Sequence, residues 1–147
     1  MEEFDAIKIQ SPLVPFSLVL HPQEFEQRLP SFRCQVVCEI QHPTGRFCYE
    51  ASNIWFGTDS FDRFLSDLGS MTRGSQAEAR LADLSDYFVF SLAERDGKTS
   101  ASLTVFRPFP EKAEARLTFS AIVDVGLPAA ILAQLRDYDR WWLHRVA

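Results

Sequence analysis

The stretch Phe88-Val89-Phe90-Ser91-Leu92-Ala93-Glu94-Arg95-Asp96-Gly97-Lys98-Thr99-Ser100-Ala101-Ser102-Leu103-Thr104-Val105 decides the fold class. Phe88, Phe90 and Leu92 fall on one parity, with Val89 and Ser91 on the other. Beyond Asp96-Gly97, Ala101, Leu103 and Val105 alternate with Ser100, Ser102 and Thr104. A period of two sends successive side chains to opposite faces of a strand, and Asp-Gly is a two-residue hairpin turn. The stretch therefore predicts an antiparallel hairpin with one apolar and one solvated face.

The same pattern extends on both sides, giving four alternating runs from Gln76 to Val125. Ala77, Ala79 and Leu81 precede the hairpin. Ala115, Leu117, Phe119, Ala121, Val123 and Val125 follow it. Further upstream, Phe61, Phe64, Leu65 and Leu68 recur at helical spacing after Gly57-Thr58-Asp59-Ser60, which offers a choice of N-cap oxygens; Gly69 and Gly74 bracket the expected helix end. Arg33–Gln41 and Arg46–Phe56 read as a hairpin about His42-Pro43-Thr44-Gly45. A four-residue turn sets Ile40 opposite Phe47, Cys38 opposite Tyr49 and Val36 opposite Ala51, all on one apolar face. The runs 5–10 and 16–21 read as short strands at a sheet edge, because prolines at 12, 15, 22 and 30 cannot donate to a ladder.

After Gly126-Leu127-Pro128, the residues Leu127, Ile131, Leu135, Tyr138 and Trp142 step by three or four, predicting one amphipathic helix to the C-terminus. Trp141 and Trp142 point about 100° apart on a helix, so one of them belongs at the boundary. These readings combine into an α+β fold, an antiparallel meander sheet with two helices packed on its apolar face, as a single domain over residues 1–147 without repeat or linker.

The 147 residues include 46 % apolar side chains and thirteen Phe, ample for a core; the net charge of −5 argues against nucleic acid or an anionic membrane as partner. No apolar run reaches the length of a membrane-spanning helix. The acidic start, Met1-Glu2-Glu3, is unlike a secretory signal, so a cytoplasmic location is expected. Three cysteines suit no disulfide framework. Cys34 and Cys38 share a strand face as small core hydrophobes, with Cys48 on the opposite parity. His21, His42 and His144 are scattered, and no spacing for a metal, a nucleophile or a phosphate loop occurs. No catalytic residue, cofactor or metal is expected. Glu39 and Glu50 have the residue type of an acid/base pair, but they read as solvated strand residues beside arginines.

Two groups are candidates for partner binding. Phe106, Arg107 and Phe109 form an aromatic–basic group at a strand end, which reads equally as a sheet edge under a loop. Asp137, Asp139, Arg140 and Trp141 decorate the terminal helix, where an ordinary solvated face is the plainer reading.

Asn53-Ile54-Trp55-Phe56-Gly57, the helix Phe61-Asp62-Arg63-Phe64-Leu65-Ser66-Asp67-Leu68, strands ending in Leu117-Thr118-Phe119 and a final Leu-rich helix resemble small bacterial immunity proteins of wall-associated, contact-dependent toxin systems. The likeness spans roughly residues 32 to 145 and leaves the Pro-rich N-terminus unmatched. It implies an α+β meander without enzymatic activity, which binds a cognate toxin domain stoichiometrically in the cytoplasm; it transfers no site residues. A basic toxin domain would be drawn to a −5 partner. The alternative is a small-molecule or lipid-binding protein, or a weak enzyme, with an apolar pocket between sheet and helices. A third reading is a homodimer paired through an exposed strand.

Overall fold

The computed structural model describes residues 3–145. Among them are eight strands in two four-stranded antiparallel sheets. The first holds β1 (Ile7–Gln10), β2 (Phe16–Glu26), β3 (Ser31–His42) and β4 (Gly45–Gly57); the second holds β5 (Glu78–Ala82), β6 (Phe88–Arg95), β7 (Lys98–Pro108) and β8 (Glu114–Val123). Helix α1 (Thr58–Thr72) follows the first sheet and α2 (Leu127–Arg136) the second. The fold is α+β with strands in meander order, as the alternation predicts.

Local chemistry places the turns. Asp96 and Gly97 have φ of 53° and 74°, the double positive φ of a type I′ turn, and Arg95 pairs with Lys98 across it. In the first hairpin Ile40 lies opposite Phe47, Cys38 opposite Tyr49 and Val36 opposite Ala51, the expected register. That register shifts between Cys34 and Val36, where Ser52 and Asn53 stand against Gln35 alone, and Asn53 takes a φ of 61°. The extra residue is a bulge. It reverses the parity of β4, so that Ile54 and Phe56 are the buried residues beyond it.

The apolar faces of the two sheets meet. Phe16 of β2 touches Phe90 and Phe119 at ring distances of 5.4 and 5.6 Å, and Phe56 of β4 touches Phe88 at 5.6 Å. Helix α1 inserts Phe61 against Phe32 and Trp142, and Phe64 against Phe90. Both sheets and both helices thus share one buried cluster. Where β4 ends, the Leu84 N–H donates to the Trp55 carbonyl (2.8 Å), tying the sheets together. A Cβ at Gly57 would stand 2.7 Å from an Asp59 carboxylate oxygen and 3.4 Å from Leu84, so the Asp59 side chain would have to move to admit it.

Four expectations need correction. First, β2 is neither short nor at the edge: it is the second strand of its sheet and runs through Pro22. Proline is accommodated because pairing with β1 ends at Ile7–Leu20, leaving β2 unpartnered on that side, and because a bulge lies between Pro22 and Glu24. Second, α1 uses no side-chain N-cap: Gly57 is the cap residue, and Thr58 instead donates its N–H (3.0 Å) and hydroxyl (3.3 Å) to the Pro30 carbonyl. Third, the terminal helix stops at Arg136, and Trp141–His144 form a separate 3-10 turn. The break lets the Tyr138 hydroxyl donate to the Asp5 carbonyl (2.7 Å) and turns both tryptophans toward Phe32. Leu127, Ile131, Leu135 and Trp142 are nonetheless buried, and Trp141 is the boundary residue. Fourth, at the end of β8, Val125 is exposed in the loop rather than on the sheet.

Candidate partner-binding surface

The residues nominated from sequence fall into two separate sets, with no ring contact, ion pair or hydrogen bond between them among the described residues. Trp141 and Arg140 fasten the fold. Trp141 stacks on Phe4 (4.1 Å), packs edge-on against Phe25 (5.6 Å), and donates from Nε1 to the Tyr138 hydroxyl (3.1 Å). Arg140 pairs with Asp62 (3.0 Å), whose carboxylate also accepts from Trp142 Nε1 at 3.3 Å. Burial and the Asp5 and Asp139 charges outweigh the Trp141 hydrogen bond at Tyr138, raising its hydroxyl to about 12. Only Asp137 and Asp139 of this set remain fully exposed.

In the other set, Phe106 lies under the Arg116 guanidinium (5.0 Å) and against Tyr87 (6.0 Å), and Arg107 covers the Tyr87 ring (5.4 Å). Phe109 reaches solvent at 56 % exposure on a turn closed by its N–H to the Ala113 carbonyl (2.8 Å). The carboxylates of the first hairpin do not form a pair: Glu39 binds Arg46 (2.9 Å) and Glu50 accepts from Gln35. No group of three or more His, Cys, Asp or Glu that could hold a metal exists among the described residues.

The surface that sequence reasoning missed lies between the two sheets. The sheets end in β4 and β8, each without a further strand. There the tip of the first hairpin stands off β8 and leaves a groove of about 350 Å³. Ile40 and Phe47 form one wall, Leu117 and Phe119 the other, and Pro15 and Pro43 close the ends. Phe47 is 54 % exposed although its parity is that of the core. Leu117, Phe119, Ala121 and Val123 are only half-buried, since β8 is the last strand of its sheet and Phe16 of β2 reaches only Phe119 among its rings. The available signal was the alternation itself: the apolar faces of β4 and β8 run past the point at which the helices end.

No family model matches the chain, and no curated protein or solved structure matches it.

Deeper between the sheets, the Tyr49 hydroxyl is buried without a hydrogen-bond partner among the described residues. Burial pushes its pKa up; the Arg107 charge opposes the shift and the Asp83 charge adds to it. No described helix is long and apolar enough to cross a membrane.

Proposed function

We propose that the protein is a non-catalytic protein-binding module that acts by stoichiometric binding, in the manner of a toxin-neutralising immunity protein. The observation that carries this reading is the apolar groove between Phe47 and Phe119, at the open edges of both sheets. Burying a phenylalanine that is half-exposed in the free chain is the kind of anchor on which protein interfaces depend. The unpaired backbone of β8 beside it offers an edge that a partner strand can join. The net charge of −5 favours a basic partner and speeds its encounter. The likeness to immunity proteins supports a toxin domain as that partner and the cytoplasm as the place of action.

A second reading, a small apolar ligand in the same groove, is favoured by its size, which falls at the low end of the roughly 300–1,000 Å³ typical of ligand clefts. The groove lies between the two sheets rather than between sheet and helices. Its polar lining is sparse, with His42, Gln41 and Thr118 the polar residues among those that border it. Phe47→Glu separates the readings. The expected result is a basic protein captured at equal stoichiometry by the wild type from its native cell, relief of that protein's toxicity on co-expression, and loss of both with Phe47→Glu. A captured partner that ignores Phe47→Glu would refute the groove as the interface. Recovery of a bound small molecule alone would replace the protein-binding reading with the second.

A further inference from the structure

On the helical side, α1 and α2 enclose a second groove of about 380 Å³ whose character is opposite to that of the molecule. Arg73, Arg136 and Arg140 line it with a single carboxylate, Asp62, so three positive charges and one negative leave +2 on a chain of −5. The Asp62 carboxylate is already engaged by Arg140 and Trp142 Nε1. Among the described residues, the two other guanidiniums pair with no anion. Arg73 donates only to the neutral Ser70 hydroxyl (3.3 Å), and Arg136 has neither hydrogen bond nor ion pair among the described residues. Arg73 Nη1 passes close over Gly69, 3.4 Å from the place a Cβ would occupy, an ordinary contact distance. The floor is apolar, formed by half-buried Leu65 and buried Leu132.

A guanidinium presents a rigid fork of donors that fits phosphate in a bidentate manner, and an apolar floor strengthens such contacts by excluding water. The groove is larger than a bare phosphate needs and leaves room for an organic body over the leucines. We infer that the groove between α1 and α2 binds a small phosphate monoester, its phosphate against Arg73 and Arg136 and its body over Leu65 and Leu132. This site is independent of the sheet-edge surface and does not rest on the protein-binding reading.

The test is calorimetric titration of the full chain with phenyl phosphate in 0.15 M salt (about 8 Å screening length), with phenol and inorganic phosphate as comparison probes. A parallel arm measures sedimentation with phosphatidylcholine vesicles containing phosphatidic acid, whose headgroup carries the same monoester. Saturable one-to-one binding of phenyl phosphate is expected, tighter than that of either comparison probe. Arg136→Ala and Arg73→Ala are each expected to weaken it about tenfold, as the loss of a charge-assisted hydrogen bond does. Both arginines are exposed, and unchanged thermal melts will show that the variants fold. Binding by phenyl phosphate identifies a soluble ligand. Binding only to phosphatidic acid vesicles, lost in Arg136→Ala, assigns the same chemistry to a lipid headgroup. Absence of binding in both arms, or wild-type affinity retained in both variants, overturns the inference. Phe47→Glu leaves phosphate binding unchanged, so failure here is distinguishable from failure of the partner surface.

Discussion

Replacing Trp142 with alanine tests how the C-terminal segment is held. The indole is 1 % exposed, stacks on Phe32 at 5.1 Å and 17°, meets Phe61 edge-on at 5.1 Å, and donates to Asp62. Truncating a buried tryptophan costs about 3–5 kcal/mol. Asp62 retains Arg140, so no carboxylate is left unpaired and the cost stays within that range. About 4 kcal/mol is a large share of a total stability of about 5–15 kcal/mol. With a urea slope of about 2 kcal/mol/M, the unfolding midpoint should fall by about 2 M. In calorimetry, Tm should drop by about 8–16 °C for a chain of this size. Trp141→Ala is the internal control, because Trp141 is half-buried and makes its closest stack with Phe4; a loss of about 1–2 kcal/mol is expected. Equal losses from the two variants, or less than about 1 kcal/mol from Trp142→Ala, would refute the assignment of Trp142 as the anchor.

Two further outcomes follow from burial. Asp83 is 6 % exposed and accepts the Phe88 N–H at 2.9 Å; burial raises its pKa even though backbone hydrogen bonds oppose the shift. The folded chain therefore holds this proton more readily than the unfolded one, and the stability contributed falls as pH rises from about 4, the unfolded carboxylate range, through the raised folded value. Asp83→Asn keeps an acceptor without the charge, so its urea midpoint should gain on the wild type from pH 4 toward neutrality; the opposite trend would contradict the burial argument. Of the three cysteines, only Cys48 is exposed. Burial, with smaller contributions from the Cys48 and Glu39 charges, raises Cys38 to about 12, and burial raises Cys34 against the opposing Arg33 charge. A thiol reagent should titrate one group in the native protein and three in denaturant; a second fast native thiol would show that β3 opens.

Much of this architecture was legible because it is local. Alternation placed Phe88, Phe90, Leu103 and Val105 on a buried face, and the turn length set Ile40 opposite Phe47. Nothing local announced that the strands divide between two sheets, since that depends on which apolar faces meet. Pro22 was misread because a proline reports only its missing donor, not whether a neighbouring strand ends at Leu20. The helical period continued through Tyr138 to Trp142 although the helix did not; aromatic contacts with Phe4, Phe25 and Phe32 decided that segment. The same limit hid both grooves. Phe47 and Phe119 are far apart in sequence, as are Arg73 and Arg136, and each pair acquires meaning only from the packing that brings it together.

The bulge at Asn53 makes β4 two strands in one. On one side of it the inward face looks into the open groove, and on the other it is sealed into the common core. Before the bulge Phe47 borders the groove while Tyr49 and Ala51 pack partly against the core; after it Ile54 and Phe56 are buried and lead into α1. The single left-handed asparagine thus lets one backbone carry two parities, presenting Phe47 to the groove and Ile54 and Phe56 to the core.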